Sequence, residues 1–241
     1  STEFLGDPFA LPASLQWDNY IRAMEKTNIG SNFKNSLYVV VLSLLLISFL
    51  VIPCSYCLAR FRFIGQKLMR NLYMSLIFIQ APCIMIPLFI QLSELGWLNK
   101  LTPLSLLYAV GQIPFSVFLL SGFMKGIPRD YEEAAMIDGC GYFRILPRII
   151  VPIAKPGIVT VLMLSAMGIW NEYVLALVLL TDPAKQTVPV GVAVLYEVQR
   201  YATDWGALFA ALVIVLIPSA VGYAFGQKYL IEGINVGGVK G

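Results

Sequence analysis

Five long apolar runs dominate the chain, near residues 36–59, 71–93, 104–124, 157–180 and 205–229. Each is long enough, at about 1.5 Å per helical residue, to cross a hydrocarbon core about 30 Å thick. None contains Lys or Arg except the last, which holds Lys228 near its end. The pattern predicts an all-α, polytopic transmembrane helix bundle, with residues 36–241 as the transmembrane domain. Between the third and fourth runs lies a polar island, Ile127 to Pro156, far longer than a simple turn needs. Structure in an aqueous loop suggests a docking surface.

Two further stretches depart from the spanning pattern. Residues 1–35 are mixed and fairly polar, with Pro8, Pro12 and a short amphipathic piece near Trp17–Glu25. They lack the charged lead and apolar core of a signal peptide. Residues 181–204 carry an apolar stretch from Val188 to Val198 that is too short to span. The expectation there is a re-entrant or surface-lying helix, with a partly ordered loop as the alternative. Within the runs, Pro53, Pro82, Pro87, Pro114 and Pro218 each remove a backbone donor. The freed carbonyls need a neighbouring helix or a wet cavity, which suits a transporter better than an anchor. Gly222 and Gly226 have the four-residue spacing that permits close helix approach.

Composition fits membrane lipid as solvent and partner. Of 241 residues, 58% are hydrophobic and 13% charged, against about a quarter charged in soluble domains. The net charge is only +3, so the placement of cations matters more than their sum, and nothing directs the chain to nucleic acid. The 60–70 connection, the 125–156 loop and the tail together hold eleven Lys and Arg, and the opposite connections hold six. The positive-inside rule puts the 125–156 loop and the C-terminus in the cytoplasm, with 1–35 and 181–204 external. An external start implies a sixth span ahead of Ser1.

Candidate chemistry is sparse. The chain has no His, so imidazole metal sites and His-based catalysis are excluded. Cys54 and Cys57 have redox-motif spacing but lie in an apolar run, and with no second pair for zinc they read as packing residues. No phosphate loop or nucleophile elbow occurs. The chain is therefore not expected to be an enzyme, and any energy for uphill transport must come from an ion gradient or a partner. The ionisable residue that stands out is Glu172, in the run Trp170-Asn171-Glu172-Tyr173. A carboxylate inside a span is costly and commonly marks a substrate or ion pathway. Its neighbours add amide and ring faces, which suit a polyhydroxylated ligand. The other reading of Glu172 is structural, satisfying backbone freed at a kink. Gln80, Gln91 and Gln112 are weaker candidates of the same kind.

The island reads as a device. Pro128 suits a first helical turn, and Asp130, Glu132 and Glu133 complement the helix dipole. Tyr131, Ala134, Ala135 and Asp138 recur with helical spacing and would share one face with a small Ala patch at its middle. Gly139 would end this helix in the left-handed conformation. A second short helix is expected from Tyr142 to about Ile150, shortened or kinked by Pro147.

Glu133-Ala134-Ala135, then Gly139, then Ile149-x-Val151-Pro152 resembles the EAA loop of binding-protein-dependent ABC importer permeases. Val151 stands where that pattern usually has Leu, and Cys140 where it usually has Ala. The resemblance covers nearly the whole chain. The Ile127-Pro128 lead-in, the Trp-Asn-Glu-Tyr run and the Gly-rich end are similar to the sugar-importing, maltose-type branch. It implies a permease subunit in a bacterial or archaeal cytoplasmic membrane, paired with a homologous second permease. Two copies of a cytoplasmic ATPase would bind ATP and Mg, leaving this chain without a cofactor of its own. Their clefts would receive Glu133, Ala134, Ala135, Asp138 and Gly139, with Ile149 and Pro152 completing the motif. An extracellular or periplasmic sugar-binding protein would dock on the other face. Trp170, Asn171, Glu172, Tyr173 and Gln112 would line the substrate pathway. An ion-coupled transporter using Glu172 as a proton site is the alternative. A membrane protein without transport would give the island's spacing no role. The sugar itself is not named by the sequence.

Overall fold

The computed structural model describes residues 16–79, 81–202 and 204–238, and they contain helices and connections but no strand. The long helices are α2 (Ile29–Arg60), α5 (Leu101–Lys125) and α11 (Trp205–Gly238). Between α2 and α5 come α3 (Gln66–Leu76) and α4 (Ala81–Glu94). The island forms α6 (Asp130–Ile137) and a second helical stretch, α7, over residues 142–153. Then follow α8 (Lys155–Trp170), the short α9 (Val174–Leu179) and α10 (Val188–Ala202), while α1 (Asp18–Thr27) precedes them all.

Three of these helices have a described stretch long and apolar enough to cross a membrane, Ile29–Arg60, Leu101–Lys125 and Trp205–Ala224. The other two apolar runs, each expected as one span, are not single helices. The run 71–93 is interrupted between Leu76 and Ala81, and Pro82 is the second residue of α4. The run 157–180 is interrupted at residues 171–173. At its other end α8 meets α7 at an angle of 77°. Hydropathy averaged over a span cannot see such breaks, because each is only a few residues long inside a run that stays apolar overall.

The order of contacts fixes the packing. Tyr38 Oη lies 3.0 Å from Thr102 Oγ1, Ser43 Oγ donates to the Ser105 carbonyl at 2.8 Å, and an Arg60 guanidinium nitrogen donates to the Ile127 carbonyl at 2.8 Å. Residue numbers rise together, so α2 and α5 run parallel. Across α5 and α8 the order is reversed: a Cβ on Gly168 would meet Gln112, Ser165 Oγ lies 3.3 Å from Ser116 Oγ, and a Cβ on Gly157 would fall 2.6 Å from the Phe123 ring. Those two helices are antiparallel. Small residues on α8 let the α5 side chains settle against its backbone, as in other helix pairs without a strong hydrophobic drive in lipid. Val39, Ile47, Val51, Leu104, Val117, Leu120, Ile158 and Val161 fill the main core among these helices. A smaller cluster, Ala23, Ile29, Leu195, Ala207, Leu208 and Ala211, joins α1, the start of α2, α10 and α11.

The bundle thus has two ends. One gathers the start of α2, residues 99–102 and the segment 179–188. Asn99, at φ +57°, donates its backbone N–H to the Leu179 carbonyl at 2.9 Å, and its side-chain oxygen accepts from Asp182 N–H at 2.8 Å. Asn35 Nδ2 donates to the carbonyls of Ala184 and Gln186, both at 3.0 Å. The other end gathers the end of α2, the end of α5 and the island. The helix at 188–202 is longer than the Val188–Val198 stretch that suggests it. A Cβ on Gly222 would meet no atom within 4 Å among the described residues.

Candidate functional site

The island folds as two helices around a tight corner. Asp130, Glu132 and Glu133 occupy the first turn of α6, where carboxylates meet the positive end of the helix dipole. Gly139 has φ +80°. Its N–H bonds the Met136 carbonyl at 3.1 Å, and Cys140 N–H bonds the Ala135 carbonyl at 2.9 Å. This paired closure is a Schellman motif, which favours glycine at the left-handed position. The second helix does not stop near Ile150 as the sequence suggests. It passes through a π-helical segment, Leu146–Ile150, and continues through Val151–Ile153. The wider turn accommodates Pro147, which has no N–H to give, without ending the helix.

The exposed surface of α6 differs from the expected face. Glu133, Ala134, Asp138 and Gly139 are exposed, but Ala135 is buried at 7%. The Ala patch is therefore half inside, because Ala135 packs into the core and only Ala134 is offered outward. Two large apolar side chains sit in the open beside it, Ile137 at 87% and Phe143 at 97% exposure. Ile149 is half-buried and Pro152 exposed. Exposed carboxylate, small residue and bulky apolar groups together make a surface suited to another protein.

Sequence reasoning gives Glu132 only a part in the helix dipole, yet it ties the island to the bundle. Its side chain is 14% exposed and pairs with Arg60, 5% exposed, at 2.5 Å. Tyr56 Oη donates to its second oxygen at 3.1 Å. Arg129 returns a bond to the Arg60 carbonyl at 3.3 Å. The signal that could have found this group is Arg60 itself, the first cation after the uncharged stretch 35–59 and the last residue of its helix.

At the second candidate site the structure brings Glu172 and Tyr108 together. Asn171, Glu172 and Tyr173 form the break between α8 and α9. Glu172 Oε1 accepts from Leu175 N–H at 2.8 Å, and Oε2 accepts from Ala176 N–H at 3.2 Å and from the Tyr108 hydroxyl. The carboxylate therefore satisfies the first free N–H groups of α9. Tyr108 lies seven residues into α5, about 10 Å from its start at 1.5 Å per residue. Asn171 is exposed and Nδ2 donates to the Met167 carbonyl at 2.8 Å. Trp170 packs edge-on against Phe33, centroids 5.5 Å apart, and its buried indole N–H meets no acceptor among the described residues. Tyr173 is exposed, and Gln112 is half-buried against Gly168. Gln91 lies exposed on α4, and Gln80 is outside the described residues.

A bundle with broken spans, a folded polar loop and a polar break inside one helix defines a transport-type membrane subunit. The chain belongs to the family of binding-protein-dependent transport system inner membrane components, whose model matches residues 51–236. It is 36% identical over 235 residues to the diacetylchitobiose uptake system permease protein NgcG of Streptomyces coelicolor, covering 98% of this chain and 78% of that protein. It is 34% identical over 223 residues to the sulfoquinovosyl glycerol transport system permease protein SmoH of Agrobacterium fabrum, covering 92% and 78%. A solved bacterial ABC transporter involved in importing the acidic polysaccharide alginate has the same fold, with a TM-score of 0.77 at 24% identity over 93% of this chain and 83% of that one. The family supports the permease reading over a secondary transporter that uses Glu172 as a proton site.

Proposed function

We propose that this chain is one of two permease subunits of an ATP-driven importer that moves a sugar or oligosaccharide across a bacterial or archaeal cytoplasmic membrane. Its partners are a homologous second permease, two copies of a cytoplasmic ATPase and an external sugar-binding protein. The ATPases hold ATP and Mg, and this chain contributes no catalysis and no cofactor. The observation that carries the reading is the island surface, where exposed Glu133, Ala134 and Ile137 lie on a helix closed by Gly139, with exposed Phe143 just past the corner. That surface faces the cytoplasm and receives the ATPase, while the 179–188 end faces outward toward the binding protein. Relatives named for diacetylchitobiose and sulfoquinovosyl glycerol support a glycoside as cargo.

Trp170, Asn171, Tyr173 and Gln112 line the pathway near the break, offering ring faces, amides and the free indole donor to sugar hydroxyls and ring faces. Glu172 acts there mainly by holding the break open. The deciding experiment is Glu133→Lys in the assembled complex. The expected result is loss of ATPase from the purified complex, or loss of ATP-driven sugar uptake with ATPase still bound, while the permease remains in the membrane. Wild-type ATPase association and wild-type uptake in this variant would overturn the assignment of the island.

A further inference from the structure

The Arg60–Glu132 pair is placed where it links the two ends of the bundle through one helix. Its cation is the last residue of α2 and its carboxylate is in the first turn of α6. The negative end of one helix dipole and the positive end of another are thus bridged by charges of the complementary sign. Around the pair, Tyr56 donates to Glu132, Arg60 to the Ile127 carbonyl, and Arg129 to the Arg60 carbonyl. These contacts hold α6 from both its first turn and its lead-in, and so tie it to the end of α2.

The start of α2 is held just as firmly at the opposite end. Asn35 donates to the carbonyls of Ala184 and Gln186. Ser36 Oγ accepts from Val188 N–H at 2.9 Å, the first residue of α10. From Ser36 to Arg60 is 24 residues of continuous helix, about 36 Å at 1.5 Å per residue. A helix clamped at both ends transmits displacement only if both clamps hold.

We infer that Arg60, Glu132 and Tyr56 are positioning residues that couple the segment at 181–188 to the island through α2. This rests on the reading of the island as the ATPase contact and of 181–188 as the face toward the binding protein. Glu133 touches the partner, whereas Glu132 ties the helix that presents Glu133 to the membrane bundle. Two adjacent carboxylates on one helical turn therefore serve opposite sides of it. Glu132→Gln keeps the shape and the acceptor oxygen and removes the charge that holds Arg60.

The test uses the whole importer in proteoliposomes, with wild type, Glu132→Gln and Tyr56→Phe compared. Three quantities are read: ATPase retained per permease, ATP hydrolysis with and without sugar-loaded binding protein, and sugar moved per ATP. In Glu132→Gln the expected result is wild-type ATPase content, with stimulation by the binding protein and sugar moved per ATP each reduced about 5-fold, the scale at which a coupling element acts. Tyr56→Phe removes one hydrogen bond and is expected to lose about 2-fold in the same two ratios. Unchanged ratios in Glu132→Gln would overturn the inference. So would a loss of uptake in proportion to lost ATPase, which is what a merely structural pair predicts. If Glu132→Gln fails to assemble, Tyr56→Phe decides, with reduced stimulation supporting the coupling and wild-type stimulation overturning it. A wild-type complex without ATP-driven uptake would instead bring down the function on which the inference rests.

Discussion

Two partly buried carboxylates, Glu132 and Glu172, sit at opposite ends of the bundle and are satisfied in different ways. Glu132 has a cation, Arg60, and one phenol, Tyr56. Glu172 has no cation among its described contacts; it accepts from two backbone N–H groups and the Tyr108 hydroxyl. The first arrangement joins two helices remote in sequence. The second caps the start of a helix a few residues away and ties it to α5. A charge partner suits a joint that must stay closed under load, since breaking it strands a buried ion. Dipole partners suit a break in a span, because they satisfy the orphan donors that the break itself creates.

The comparison breaks most visibly at Arg60. Arg60→Ala leaves Glu132 buried without its cation and removes the bond to the Ile127 carbonyl. The expected loss is about 3 kcal/mol, toward the lower end of what removal of one buried partner costs. Thermal unfolding of the purified complex in detergent checks it. A melting temperature equal to wild type would show that water reaches the pair and screens it.

At the other end the expected effect is smaller. Glu172→Ala frees the Leu175 and Ala176 N–H groups and leaves the Tyr108 hydroxyl without its acceptor. A loss of about 2 kcal/mol is expected, the upper range for a helix cap. Glu172→Gln retains one acceptor oxygen, and should lose about half as much. The same unfolding assay ranks them. If Glu172→Gln equals Glu172→Ala, the charge and not the hydrogen bonding dominates, and the contrast with Glu132 disappears.

These two carboxylates also show what sequence can and cannot give. Glu172 is conspicuous, because an acidic residue in an apolar run has few innocuous explanations. Its partner Tyr108 is hidden, since a tyrosine in a span carries no signal and the pairing spans 64 residues. The helix break beside it is short, Asn171 to Tyr173, and a window wide enough to find a span averages its polarity away. Glu132 is in plain view beside Glu133, yet nothing local separates two consecutive glutamates. Only the register of α6 against α2 turns one inward and one outward. Gly139, by contrast, is legible, because the left-handed end of a short helix is a local matter of backbone sterics.

That locality allows the smallest effect to be isolated from charge altogether. Gly139 and Gly141 flank the corner of the island, and neither has an atom within 4 Å of the place a Cβ would occupy. They differ in backbone, with φ +80° at Gly139 and φ −70° at Gly141. A methyl group therefore meets no neighbour among the described residues at either site, and within this chain any difference between the two substitutions is conformational. Gly139→Ala should cost about 1 kcal/mol, the penalty of a side chain in the left-handed region. Gly141→Ala should cost little or be slightly favourable, because alanine narrows the unfolded ensemble where the native φ suits it. Equal melting temperatures for the two variants would mean that the corner relaxes freely. The fixed presentation of Glu133 would then have to come from the Arg60–Glu132 tie alone.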